Sequence, residues 1–146
     1  MITILTIGKL KEKFLTDGVA EYVKRIRPFS KIEIREIPEC RTVDEEGRKL
    51  LSQIPRDSKI CVLDVSGTLT SSENLAEKIS DWNLNGFSDI TFIIGGAFGL
   101  SDEVRQAADF RLSLSPMTFT HQMTRLILVE QIYRAYKINR GEPYHW

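Results

Sequence analysis

The sequence predicts an α/β fold: a mostly parallel sheet of five or six strands with helices on both faces. Two observations carry this. Short apolar runs, alternating or continuous, take turns along the chain with longer runs whose apolar residues recur at helical spacing. Capping and breaker residues fall between them. No repeat, low-complexity stretch or interdomain linker interrupts the 146 residues, so they read as one domain, 1–146, large enough for a single core.

Residues 2–7 alternate through Ile2, Ile4 and Ile7 and read as a strand. Residues 12–26 place Leu15, Val19, Tyr22 and Ile26 on one helical face. Residues 31–37 alternate strictly and predict a half-buried strand, stopped by Pro38. Thr42-Val43-Asp44-Glu45 has the form of a capping box and opens a helix through Leu50, Leu51 and Ile54, which Pro55 ends. Ile60 to Val65 is a compact apolar strand, followed by a second capping-box pattern at Thr70-Ser71-Ser72-Glu73. The helix behind it presents Leu75, Ile79 and Trp82. Asp89 to Ile94 is another strand, Gly95 to Gly99 a tight loop, and Ser101-Asp102-Glu103 a helix start with acids where the helix dipole favours them. Phe110 to Leu114 is the fifth strand, and residues 120–139 form the longest helix.

Composition narrows the class. Hydrophobic residues make up 42% and charged residues 27%, the balance of a soluble globular protein. No apolar run is long enough for a membrane helix, and the first residues read as a strand and not a signal peptide. Cys40, Cys61 and two histidines form neither a disulfide framework nor a metal spacing, so no metal is expected and a reducing cytoplasm fits. Lys plus Arg and Asp plus Glu are both 20, which argues against binding nucleic acid by bulk charge alone. The charge is nonetheless segregated. Lys9, Lys11, Lys13, Lys24, Arg25, Arg27 and Lys31 crowd the start, and Arg125, Arg134, Lys137 and Arg140 the end. Glu36, Glu39, Asp44, Glu45 and Glu46 lie between, and solvated helix faces would account for such clusters.

Ligands in open α/β sheets bind beyond the carboxyl ends of the strands. Three strand ends are unusual here: Asp64-Val65-Ser66-Gly67 after Leu63, Gly95-Gly96-Ala97-Phe98-Gly99 after Ile94, and Ser115-Pro116-Met117-Thr118-Phe119 after Leu114. The middle loop lets a ligand approach the backbone, but it matches no dinucleotide or P-loop fingerprint and no lysine follows to hold phosphates. A ligand with an adenosine and a carboxylate but no polyphosphate would suit it. The third loop could wrap an adenine with backbone groups and apolar side chains; core packing is the plainer reading of Met117 and Phe119, and a helix cap that of His121. The last helix is apolar over more than one stripe and needs cover on two sides, one of which a partner subunit could supply. For Arg125 and Arg134, ion pairing with acids such as Glu130 is the alternative to phosphate contact.

Taken together, Ile7-Gly8-Lys9-Leu10-Lys11, Ile93-Ile94-Gly95-Gly96, Gly99-Leu100-Ser101, Ser115-Pro116-Met117-Thr118-Phe119 with His121, Glu130 to Ala135 and Pro143-Tyr144-His145 resemble the RlmH family. These are large-subunit pseudouridine methyltransferases of the SPOUT superfamily. The match runs end to end, in order and at matching spacing; the loop between Pro38 and Glu46 is shorter than in many members, Thr120 replaces a common proline, and Trp146 ends the chain. The resemblance implies a SPOUT-type single domain with a C-terminal trefoil knot, a homodimer with the site at its interface, and S-adenosylmethionine as methyl donor. It carries donor binding onto Leu63, Gly95, Leu114, Ser115, Pro116, Met117, Thr118 and Phe119. The implied reaction is methylation at N3 of a pseudouridine in large-subunit (23S) rRNA, on assembled ribosomes.

An imide nitrogen is a weak nucleophile until its proton leaves. His145 is the tail's only side chain that titrates near neutrality, so it is the expected base or base-positioner. Tyr144 and Arg134 are expected beside it at the target nucleotide, with Arg125 and Arg134 on phosphates and Trp146 stacking on RNA. Two rivals differ in kind. A non-catalytic ribosome-binding factor would have a decayed donor pocket, against which the intact glycines at 95, 96 and 99 speak. A flavodoxin-like mononucleotide enzyme would need a phosphate loop that the sequence lacks.

Overall fold

A computed structural model describes residues 1–143. Five strands, β1 (Ile2–Ile7), β2 (Ile32–Ile37), β3 (Lys59–Leu69), β4 (Ile90–Ile94) and β5 (Phe110–Ser113), form one sheet in the order β2-β1-β4-β3-β5. Every pairing between them is parallel. Five helices connect and cover the strands: α1 (Lys13–Ile26), α2 (Val43–Ser52), α3 (Ser72–Leu84), α4 (Asp102–Ala107) and α5 (His121–Asn139).

Parallel pairing requires crossovers, and these put helices on both faces. The central strands β1 and β4 are accordingly buried on both sides. All six residues of β1 are buried, including Thr3 and Thr6, which the alternating reading of residues 2–7 had turned outward. Ile2, Ile4, Phe92 and Leu112 pack with α1, α3 and α5 in one core. Leu5, Ile7, Val62 and Ile93 pack with α2 and α4 in the other.

Helix starts are set by side-chain caps. Thr42 accepts from the Glu45 N–H at 3.1 Å, Ser71 from Asn74 at 3.0 Å, Ser101 from Val104 at 3.2 Å and Thr120 from Met123 at 3.2 Å. The second cap is therefore Ser71, one residue past the expected Thr70. Thr120, and not His121, caps the last helix.

One further expectation is corrected. The strand read as Ile60 to Val65 runs on to Leu69, and the register against β5 shifts between Leu63 and Thr68. The segment taken as a loop after Leu63 is thus an irregularity within a strand, held where the Asp64 carboxylate accepts from the Ser66 N–H and hydroxyl. Part of the apolar surplus of α5 is covered within the chain. The helix lies over the sheet between α1 and α3: Leu126 packs against Gly18 of α1, Tyr133 meets Tyr22 with ring centroids 6.0 Å apart, and Asn139 donates to the Ala76 carbonyl of α3.

Candidate functional site

The order β4-β3-β5 places three carboxyl ends side by side, and parallel pairing points them to one edge. A cleft of about 230 Å³ opens there. Its walls include Leu63, Asp64 and Val65 from β3, Ile94, Gly95, Gly96, Gly99 and Leu100 around the glycine loop, and Leu114, Ser115, Met117, Thr118 and Phe119 before α5. The three strand ends singled out in the sequence therefore meet. Of the eight positions expected at the donor, Pro116 alone stays off the wall.

The glycine loop is tight because it must be. Gly99 donates to the Gly96 carbonyl at 3.0 Å and folds the loop back on itself. A Cβ on Gly95 would lie 2.5 Å from the Gly99 carbonyl oxygen, a contact with backbone that no rotamer can relieve. In the third loop the Ser115 hydroxyl accepts from the Met117 N–H at 3.0 Å, which turns Met117 outward; it is 74% exposed and Phe119 43%. Core packing is thereby set aside for both side chains.

Among the described residues the cleft wall carries no lysine or arginine. Its carboxylate, Asp64, is buried and occupied: Arg105 Nε donates to it at 3.1 Å and Arg111 Nη1 at 3.3 Å, besides the two bonds from Ser66. Burial pushes this carboxyl up, but the Ser66 hydrogen bonds and the Arg105 charge outweigh burial and hold it below the ordinary carboxylate value. The sequence placed Asp64 at one of the three unusual strand ends but gave the carboxylate no role. Nothing local announces its partners, 41 and 47 residues away. His121 and Thr124 of α5 also reach the wall. Such a site suits a ligand recognised by backbone and apolar contacts and offers nothing to a polyphosphate.

Behind the glycine loop lies a carboxylate the sequence placed on a solvated face. Glu46 of α2 is 2% exposed. Its Oε2 accepts from the Cys40 N–H at 3.0 Å, while Oε1 has no hydrogen-bond partner among the described residues and sits 3.5 Å from where a Gly96 Cβ would be.

The arginines separate. Arg125 does not stand where RNA could reach it, which corrects the expectation of a phosphate contact. It is 2% exposed, and its guanidinium donates to Glu36 at 2.6 Å, to the Thr6 hydroxyl at 3.0 Å and to the Gly8 carbonyl at 3.2 Å. Arg134 is one-quarter exposed and donates twice to Glu130 Oε1, one turn earlier on α5. Tyr144, His145 and Trp146 lie outside the described residues. Among the described residues no group of acids, histidines or cysteines is arranged to hold a metal, and no helix is long and apolar enough to cross a membrane.

A family model described as predicted SPOUT methyltransferase matches residues 1–145. Proteins called ribosomal RNA large subunit methyltransferase H are similar along nearly the whole chain. The one from Clostridioides difficile is 50% identical and that from Halothermothrix orenii 46%, each alignment covering 99% of this chain and 98% of the relative. Among solved structures, a probable methylase family protein from Haemophilus influenzae superposes with a TM-score of 0.56 at 13% identity, over 99% of this chain and 70% of the other, which is a likeness of fold. With the parallel sheet and the three-loop cleft, these matches place the chain in the SPOUT methyltransferases, within the family of ribosomal RNA large subunit methyltransferase H.

Proposed function

We propose that the chain transfers a methyl group from S-adenosylmethionine to N3 of a pseudouridine in large-subunit (23S) rRNA, acting in the cytoplasm as a homodimer on assembled ribosomes. One observation carries the donor half: a backbone-lined cleft free of cations, in which a Cβ at Gly95 would strike the Gly99 carbonyl. The relatives' names support rRNA as acceptor. The nucleotide, the ribosomal context, the dimer and the C-terminal knot come from the family resemblance.

The residues divide the work. Gly95, Leu63 and Leu114 to Phe119 bind the donor, with Pro116 shaping the loop from behind the wall. When bound, S-adenosylmethionine supplies a methyl already made electrophilic by its sulfonium. The chain's main task is then alignment, since fixing two reactants in attack geometry removes a large part of the barrier. His145 takes the N3 proton as the new N–C bond forms, Tyr144 and Arg134 hold the target nucleotide, and Trp146 stacks on a neighbouring base.

The test is methyl transfer from labelled donor to naked rRNA, isolated subunits and intact ribosomes, side by side, with calorimetry for donor binding. Transfer to intact ribosomes and mapping of the label to N3 of a pseudouridine are expected. Donor binding without transfer to any of the three would reduce the protein to a ribosome-binding factor. Deleting 144–146 should abolish transfer and leave donor affinity unchanged; full activity in that variant would remove the tail from the mechanism.

A further inference from the structure

Glu46 and Gly47 are consecutive residues of α2, and they meet opposite ends of the glycine loop. A Cβ on Gly47 would fall 2.2 Å from the Ser101 hydroxyl, while Glu46 Oε1 lies 3.5 Å from where a Gly96 Cβ would be. Ile7, the last residue of β1, also presses on Gly96, its Cγ2 standing 2.9 Å from that same Cβ position. Gly96 and Gly99 of this loop wall the donor cleft. The loop therefore rests on α2 at both ends, and a buried carboxylate is part of the support.

Stability alone does not explain this carboxylate. Glu46 is 2% exposed and forms no ion pair among the described residues. One oxygen is used, Oε2, which accepts from the Cys40 N–H at 3.0 Å. The other, Oε1, is buried with no hydrogen-bond partner among the described residues. A buried carboxylate oxygen left unpaired destabilises the chain that holds it. Nor does the helix dipole call for it, since Asp44 and Glu45 already stand in the first turn of α2. What Oε1 lacks is a donor, and the loop beside it has donors to give. The turn from Gly96 to Gly99 is closed by the Gly99 N–H, so the N–H groups of Gly96 and Ala97 are not spent on it.

We propose that Glu46 is a positioning residue for the donor loop: with S-adenosylmethionine bound, its Oε1 accepts a backbone N–H of the Gly96-Ala97 segment and locks the loop onto α2. The inference rests on the reading of this cleft as the donor site. Oε1 already stands at van der Waals distance from the loop, so a small local turn of the backbone is enough. The free protein carries the unpaired oxygen as a destabilisation, and forming the bond converts it into donor affinity. A ligand shifts such an equilibrium by what it gains in the favoured state. Glutamate suits the task because it accepts on two sides at once. A glutamine at 46 has one acceptor oxygen, which can serve the Cys40 N–H or the loop but not both.

The experiment compares the wild-type chain with Glu46→Gln and Glu46→Met in three measurements: urea unfolding of the free protein, calorimetry with S-adenosylmethionine, and amide hydrogen exchange at Gly96 and Ala97 with and without the donor. Both variants should be at least as stable as wild type when free, because each removes a buried charge with an unpaired oxygen. In Glu46→Met the Cys40 N–H, on a half-buried residue, can turn to water. Both variants should bind the donor about tenfold more weakly, the effect of one hydrogen bond to a charged acceptor. In wild type the donor should slow exchange at Gly96 or Ala97, and in both variants that protection should be lost. Stability and affinity that fall together in both variants overturn the proposal, because a merely structural contact moves them in the same direction. Unchanged affinity in either variant overturns it too, as does a wild-type loop that gains no protection from bound donor. If the wild-type protein binds no S-adenosylmethionine, it is the donor reading of the cleft that fails, and the role of Glu46 falls with it.

Discussion

The Arg125 guanidinium and the Glu36 carboxylate meet at 2.6 Å across 89 residues of sequence, tying the last helix to the second strand with the arginine 2% exposed. Removing one partner of such a pair strands the other's bonds; here Thr6 and the Gly8 carbonyl lose their donor as well. Because Glu36 keeps about a third of its surface in water, the cost falls at the low end for buried pairs. Arg125→Ala should destabilise the fold by about 3 kcal/mol in urea unfolding. A variant of wild-type stability with weakened ribosome binding would restore the phosphate-contact reading.

The donor cleft yields a sharper test. An alanine at 95 must push the Gly99 carbonyl away, since the missing distance is to backbone and not to a flexible side chain. Gly95→Ala should stay folded and lose at least about tenfold in donor affinity, equivalent to ~1.4 kcal/mol. Unchanged calorimetric affinity would remove the glycine loop from the donor site.

Asp64 links the cleft to pH. Its carboxyl is held below the ordinary value in the fold, so the stability it contributes is present above the unfolded value of about 4 and is lost as pH falls through the folded value. Asp64→Asn keeps the shape but sets an amide against Arg105 and Arg111. At pH 7 it should be less stable by ~1–3 kcal/mol. The gap to wild type should close as unfolding is followed down below pH 4. A gap that stays constant with pH would mean that the carboxylate charge contributes nothing.

What could be read in advance, and what could not, follows the range of each interaction. Periodicity and capping are local, and they located all ten elements within a few residues, apart from the far end of β3. That end turns on a register shift against β5, which no residue between Asp64 and Leu69 announces by itself. The three loops of the cleft were legible because a parallel sheet turns all its carboxyl ends to one edge, and the order β4-β3-β5 then makes these three neighbours. The burial of Arg125 and Glu46 was not legible, because a charged residue reads as solvated until its partners are known. Those partners lie on β1 and β2 for Arg125, and for Glu46 in the chain turn at Cys40. The contacts of α5 with α1 and α3, which cover part of its apolar surplus, are long-range in the same way.

Gly47 offers a contest between two local effects. Glycine inside a helix costs about 1 kcal/mol relative to alanine, so propensity alone favours Gly47→Ala in α2. Against this, the new Cβ would fall 2.2 Å from the Ser101 hydroxyl and 2.9 Å from its Cβ. Ser101 is itself buried, and its hydroxyl caps α4 by accepting from the Val104 N–H at 3.2 Å. Relieving the clash therefore either separates α2 from α4 or turns the cap away from its helix, and each costs more than the propensity gained. Gly47→Ala should destabilise the protein by about 2 kcal/mol. The disturbance should also reach the cleft, because Ser101 directly follows Leu100, which lines it. Donor affinity, measured on the folded variant, should drop with stability. If Gly47→Ala is as stable as wild type, the close approach of the two helices is dispensable; if only stability falls, the glycine loop is set without help from α2.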